Sequence, residues 1–181
     1  LVYLALNRQG SQSPAEIPLM RFPINLSVSS PLVLGAATLA IAPDGKNFIY
    51  LAGDAANPQL YLRPMDKLTA TPMASTEAAS DPFFSADGKW VAFFAAGKLK
   101  KVSVFGGAAQ DVCNVPGFMR GGYWAPDNSI FFGHLNRGVY RVAAEGGAPI
   151  EVTILDTVRG EISHRFPQAL PGRDWVIFTV K

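Results

Sequence analysis

One hairpin unit recurs along this chain and constrains its fold more than any other feature. The clearest copy, Asp81 to Val104, reads as three short strands, with a turn at Asp87-Gly88 and a second break at Ala96-Gly97. Its aromatic and β-branched residues suit a buried, pleated surface, and the Asp-Gly step supplies the left-handed residue that a tight hairpin needs. The sequence therefore predicts an all-β protein.

Related hairpins lie on both sides of this copy. They read ATLAIAPDGKNFIYLAG, RGGYWAPDNSIFFGHL and RFPQALPGRDWVIFTVK, and the turn residues Asp44, Asp87 and Asp127 are 43 and 40 residues apart. The hairpins that contain Asp44, Asp87 and Asp127 are each followed by a third strand and a short fourth one. Four strands in about 40 to 45 residues are typical of a β-propeller blade. The prediction is a partial β-propeller of four-stranded antiparallel blades, with about three to four blades present.

The period divides the chain into predicted units. Residues 31–75, 76–116 and 117–155 form one blade each, and residues 156–181 start a further blade. Residues 1–30 are predicted to form an extended segment and linker, with part of a blade as the alternative.

The repeated turn positions have a conformational role. An Asp at a turn can accept a hydrogen bond from its own backbone, and the next residue must tolerate a positive φ. The residues predicted to build these turns are Asp44, Gly45, Asp87, Gly88, Asp127 and Asn128.

Composition excludes several classes of function. The chain has 181 residues and a formal net charge of +2 with no basic stripe, so nucleic acid is not an expected partner. Cys113 is the only cysteine, which rules out an intrachain disulfide. The apolar run Leu32 to Ile41 is too short to span a bilayer, so no direct membrane insertion is expected of this segment.

Catalytic and metal-binding motifs are absent from the sequence. It contains no G-x-S-x-G, H-E-x-x-H or G-x-x-x-x-G-K-(S/T) pattern, and its only histidines are His134 and His164. We expect a non-catalytic chain without metal or cofactor, in which His134 is a solvated loop residue.

Candidate ligand contacts come from the propeller geometry. The innermost strands line a central channel, so polar groups just before them face the pore mouth. His164 precedes the innermost strand of the fourth copy, with Glu161 and Arg165 nearby, and Asp81 and Arg120 occupy the corresponding places in other copies. These five residues are the predicted ligand-binding set. The alternative is that they bond to one another and to loop backbone, tying adjacent blades together.

The repeated (A/S)-x-D-G-x-x-(I/V)-x-(F/Y) hairpin resembles the TolB-like β-propeller repeat of bacterial proteins. Residues Asn47 to Val180, about three-quarters of the chain, are similar to propeller regions attached to bacterial serine/threonine protein kinases. The phrases that carry the similarity are LYLRPMDKLTATPM, DPFFSADGKWVAFFAAGKLKKVSVFGG, RGGYWAPDNSIFFG, GVYRVAAEGGAPIEVT and GEISHRFPQALPGRDWVIFT.

This resemblance implies a non-catalytic sensor or protein-binding module outside the cytoplasm, joined through a membrane helix to a kinase. No Gly-rich loop, H-R-D or D-F-G of a kinase is present, so any kinase activity would lie outside this chain. Two alternatives remain open. The chain could be the accessory, substrate-gating propeller of a prolyl-oligopeptidase-type serine peptidase, or a periplasmic TolB-type envelope protein.

Three full repeats and half of a fourth fall short of the roughly six or more blades that a closed ring of this family has. Open blade edges invite association. The expected partner is a protein or peptide. The missing blades would lie in a larger chain or, as the alternative, be supplied by self-association.

Overall fold

Four antiparallel sheets follow one another along the chain. The structure, a computed structural model, describes residues 31–33, 38–115, 117–170 and 175–181. The predicted extended segment 1–30 lies outside this range.

Three of the sheets have four strands each, and their strand order follows the chain. The first contains β1 (Leu39–Ile41), β2 (Asn47–Ala52), β3 (Gln59–Pro64) and β4 (Thr71–Pro72). The second contains β5 (Ser80–Phe84), β6 (Trp90–Ala95), β7 (Lys98–Ser103) and β8 (Gln110–Asn114). The third contains β9 (Met119–Trp124), β10 (Ser129–His134), β11 (Tyr140–Ala143) and β12 (Ile150–Glu151).

The fourth sheet pairs β13 (His164–Ala169) with β14 (Val176–Val180), after a single 3₁₀ turn at Thr157–Arg159. The prediction of an all-β chain built from four-stranded antiparallel blades is confirmed, and the architecture is that of a partial propeller.

The second sheet is covered on both faces, which explains its continuous apolar run. On β6, Val91 and Phe93 pack with Ile49 of the first sheet. The alternate residue Phe94 packs with Phe132 of the third sheet. Side chains on a strand alternate between its two faces, so a strand between two neighbours needs apolar residues at every position.

The turns that join β1 to β2, β5 to β6 and β9 to β10 share the same two closing hydrogen bonds. Gly45, Gly88 and Asn128 have φ of 68°, 69° and 62°. Each donates its N–H to the carbonyl oxygen three residues earlier, at 2.8, 2.9 and 3.0 Å. The carboxylates of the preceding aspartates accept from Lys46, Lys89 and Ser129 N–H at 2.9, 3.1 and 2.9 Å. These bonds close each turn and start the second strand.

The innermost strands β1, β5, β9 and β13 lie side by side in that order. In β5, β9 and β13 the pairing register is interrupted by a bulge. Each bulge contains one residue in the left-handed region: Asp81 with φ 45°, Gly121 with φ 74° and Phe166 with φ 51°. A bulge adds a residue to one strand and changes the direction of the side chains around it.

Glycines on β9 and β10 allow neighbouring innermost strands to approach closely. A Cβ on Gly122 would lie 2.2 Å from Cε1 of Phe83. A Cβ on Gly133 would lie 2.7 Å from the Arg120 carbonyl oxygen and 2.8 Å from Cα of Arg165. The contacts of Gly133 are with backbone, which has little freedom to move away.

The outer sheets expose apolar side chains. On β1, Leu39 is 43% and Ile41 56% exposed; Ile177 of β14 and the preceding Trp175 are 53% and 65% exposed. The sheets thus form a stack with apolar groups at both ends.

We expect Gly133→Ala to lower the free energy of unfolding by about 1–3 kcal/mol, the usual cost of inserting an atom into a packed region. Urea unfolding followed by tryptophan fluorescence would measure it. Ala143→Ser, on the exposed side of β11, is the matched control. A Gly133→Ala variant as stable as this control would contradict the close packing of the innermost strands.

Candidate functional site

The five predicted ligand contacts lie on or just before the innermost strands. Asp81 belongs to β5, Arg120 to β9, and His164 and Arg165 to β13. Glu161 precedes β13 by three residues. They form two groups: Asp81 and Arg120 line one cavity between the second and third sheets, whereas Glu161, His164 and Arg165 lie between the third and fourth.

Asp81 is the most constrained member of the first group. It is 6% exposed and has a positive φ, and its Oδ1 accepts a hydrogen bond from Gly121 N–H at 3.3 Å. Asp81 and Arg120 share the lining of a cavity of about 210 Å³ with Lys98. One acidic and two basic side chains therefore border a small cavity near the centre of the stack.

The electrostatics of Asp81 are unfavourable for its charged form. Burial raises the pKa of its carboxyl above the ordinary value, and the Gly121 hydrogen bond and the Arg120 charge only partly offset this. The guanidinium of Arg120 donates through Nη1 to the Met119 carbonyl oxygen at 3.1 Å. A carboxylate held at such a cost beside a cation suits binding of a polar or charged group.

His164 belongs to a chain of hydrogen bonds in the second group. Its Nδ1 lies 2.7 Å from Thr153 Oγ1 and its Nε2 lies 3.1 Å from Glu161 Oε2. Thr153 Oγ1 also accepts from Val139 N–H at 2.7 Å, and Glu161 Oε2 accepts from Asp156 N–H at 2.7 Å.

The bonding partners decide how a neutral His164 holds its proton. The Asp156 N–H and then His164 lower the pKa of Glu161, so this residue is an ionised acceptor. A neutral His164 therefore carries its proton on Nε2, and its Nδ1 accepts a hydrogen bond from the Thr153 hydroxyl group. The imidazole, 3% exposed, is fully bonded within the protein.

Arg165 and the backbone of β13 complete this connection. Arg165 donates through Nε to Ser163 Oγ at 2.6 Å and through Nη2 to the Leu135 carbonyl oxygen at 3.2 Å. The His164 N–H donates to the Arg137 carbonyl oxygen at 3.0 Å. The residues of the second group thus bond to one another and to loop backbone. This matches the alternative interpretation, in which these polar residues tie adjacent sheets together.

Two sequence expectations need correction. His134 is not a solvated loop residue: it ends β10, is 8% exposed, and lies so close to Gly117 that a Cβ there would be 2.9 Å from Nε2. The expected correspondence of Asp81 with Arg120 is also wrong by one residue. The bulges align Asp81 with Gly121 and Phe166.

Sequence reasoning also missed two partners, Thr153 and Gly121. One sequence feature could have indicated the bulge: its left-handed residue precedes a proline in two copies, as Asp81-Pro82 in β5 and as Phe166-Pro167 in β13. Nothing in the sequence pattern connected Thr153 to His164.

Among the described residues, no group of three or more His, Cys, Asp or Glu side chains is placed to hold a metal ion. None of the described helical segments has the length and apolar character needed to cross a membrane.

We expect Asp81→Asn to stabilise the fold at pH 7. The variant keeps an acceptor oxygen for Gly121 and a residue type that tolerates a positive φ, but removes a buried charge. Because the folded-state pKa of Asp81 is raised, folding takes up a proton. The wild-type carboxylate thus destabilises the fold above its folded-state pKa and has no such effect below the ordinary value of 3.8.

Urea unfolding at pH 7 and at about pH 3 would test this, because the advantage of the variant should disappear in acid. Asp66→Asn, at an exposed loop position, is the control. An Asp81→Asn variant that is less stable than wild type at pH 7 would show that the ionised carboxylate is favoured there.

Thr153→Val is expected to lower the free energy of unfolding by about 1–3 kcal/mol, because it leaves the Val139 N–H and His164 Nδ1 without their partner. Thermal and urea unfolding would measure the loss. Thr179→Val, exposed on β14, makes the same chemical change without that partner loss. Equal effects of the two substitutions would contradict the role of Thr153 in joining the sheets.

Comparison with known proteins bears on the fold. No protein-family model matches the chain, and a search of curated proteins finds no significant match. Among solved structures, a protein assigned as TolB from Agrobacterium tumefaciens is similar with a TM-score of 0.68 and 20% identity, over 80% of this chain and 53% of that one.

TolB from Acinetobacter baumannii gives a TM-score of 0.61 at 18% identity, over 86% of this chain and 42% of its own. The β-propeller domain of the Trilobed protease from Pyrococcus furiosus gives 0.51 at 14% identity, over 81% and 54%. The chain spans about half the length of these structures. At such identities the likeness concerns the fold, and the fold of this chain is that of a TolB-like β-propeller.

Proposed function

We propose that the chain is a non-catalytic binding or sensor module that recognises a protein, a peptide or a small envelope ligand at the pore face of its propeller. The observation that carries this proposal is Asp81, a buried carboxylate on a left-handed backbone, lining a cavity with Arg120 and Lys98.

Burial makes the ionised form of Asp81 costly to the fold. Its fold-related partner is one backbone N–H, which an Asn side chain would satisfy equally well without a charge. Residues kept at a cost to stability concentrate at binding sites. In contrast, His164 and Arg165 have all the protein partners that a structural role requires, so we assign ligand contact to Asp81 and Arg120.

We further propose that this module lies outside the cytoplasm of a bacterium, as part of a larger protein such as a receptor-type serine/threonine kinase. The order of the repeat phrases along residues 47–180 supports this, as does the fold shared with TolB structures of which the chain spans about half. A periplasmic TolB-type envelope protein is the related alternative.

A second candidate is the substrate-gating propeller of a serine peptidase. The likeness to the propeller domain of the Trilobed protease favours it, at the level of the fold. In that role the module would again be non-catalytic, and the cavity residues would contact peptides on their way to a separate hydrolase domain.

Selection from a random peptide library on the immobilised chain would test the pore-face site. The affinities of the enriched peptides would then be compared between wild type, Asp81→Asn and Arg120→Gln. Loss of one charged hydrogen bond, about 1.5–3 kcal/mol, should weaken binding by about ten- to one-hundred-fold.

Lys67→Gln, in the exposed loop after β3, removes a positive charge away from the cavity and is the control. Peptides that bind all variants equally well would overturn the assignment of the site to Asp81 and Arg120. A library that yields no binder at all would overturn peptide recognition by this face.

A further inference from the structure

A second cavity, of about 230 Å³, is lined by residues of the second and third sheets, among them Val115, Phe132 and Tyr140. Val115 and Met119 border both cavities. The second cavity does not include Asp81 or Arg120, so an inference about it does not depend on the function proposed for those residues.

The walls of this cavity are apolar and aromatic. Val115, Met119 and Phe132 are 2%, 5% and 2% exposed. The rings of Phe132 and Tyr140 are stacked with their centroids 5.5 Å apart, and the His134 imidazole lies 6.4 Å from the Tyr140 ring. Stacked rings with little solvent contact form a surface suited to another flat ring.

One side of the lining is cationic. Arg137 is exposed and lines the cavity, and it acts on the Tyr140 hydroxyl: burial raises the pKa of Tyr140, whereas the Arg137 charge opposes the rise. Glu151 is also nearby, but it does not line the cavity. Its carboxylate oxygens accept from Gly138 N–H at 2.8 Å and from the Tyr140 hydroxyl at 3.3 Å.

Size and charge together select the ligand. Pockets that hold drug-sized molecules measure roughly 300–1,000 Å³, so this one suits a single ring with a short polar group. A guanidinium pairs best with a carboxylate, which it can bind through two parallel N–H groups. The aromatic wall and Arg137 are thus complementary to the two halves of one small molecule.

We propose that this cavity binds an aromatic carboxylate, with the ring against Phe132 and Tyr140 and the carboxylate on Arg137. The chemistry has two sources: a free aromatic acid, or the C-terminal residue of a peptide that ends in an aromatic side chain.

Four probes distinguish these sources and the role of the charge. Phenylacetate and phenylacetamide test the free ligand, and Ala-Ala-Phe as the free acid and as the C-terminal amide tests the peptide. Binding is followed by NMR of the ¹³C-labelled methyl group of Met119, with its signal identified by Met119→Leu. A bound ring should move this signal in a saturable way.

The expected result is a saturable shift with at least one of the two acids, and binding about tenfold or more weaker for its amide, since the amide cannot pair with a guanidinium as an anion does. Arg137→Gln should weaken binding of the acid by a similar factor, and Arg137→Lys should restore part of that binding. Because Arg137 is exposed and its backbone bond to His164 is unaffected, both variants should fold. Arg159→Gln, in the exposed 3₁₀ turn, is the matched control.

A shift with phenylacetate alone would identify a free acid as the ligand, and one with the tripeptide acid alone would identify a peptide C-terminus. The absence of a saturable shift with both acids would overturn the proposal. So would equal binding of acids and amides, or an Arg137→Gln variant that binds like the Arg159→Gln control.

Discussion

Close approach of the innermost strands is the constraint on which the rest of this structure depends. Gly122 and Gly133 have no side chain at the points where β5, β9, β10 and β13 come together, and a methyl group there would meet a ring or a backbone atom. Only at this separation can Phe94 of the second sheet reach Phe132 of the third, with ring centroids 5.8 Å apart. The apolar packing of the second sheet on the third thus depends on the absence of a side chain at Gly122 and at Gly133.

Polar groups on the innermost strands differ in the number of protein partners they have. His164 bonds to Thr153 and Glu161, and its position is fixed by both. Asp81 has its bond from Gly121 and borders a cavity. Since a bonded, enclosed group has little left to offer a ligand, the difference in partners separates a residue that joins sheets from the one that we propose for ligand contact.

Local chemistry made the architecture predictable. The turn of an Asp-Gly or Asp-Asn pair depends on neighbouring residues alone, so Asp44, Asp87 and Asp127 marked the period correctly. The site was harder because a bulge shifts the register by one residue, which placed Asp81 opposite Gly121 instead of Arg120. The bond of Thr153 to His164 and the burial of His134 could not be predicted from the sequence, because both depend on how separate segments pack.

The coverage of the sheets has a consequence for how the molecule opens. In a stack where each unit contacts only its neighbours, stability is the sum of the units and of the interfaces between them. The second sheet has an interface on each face, whereas β14 of the last sheet leaves Ile177 exposed. Amide hydrogens of β6 should therefore exchange with solvent more rarely than those of β13 and β14, which pack against one neighbouring sheet among the described residues.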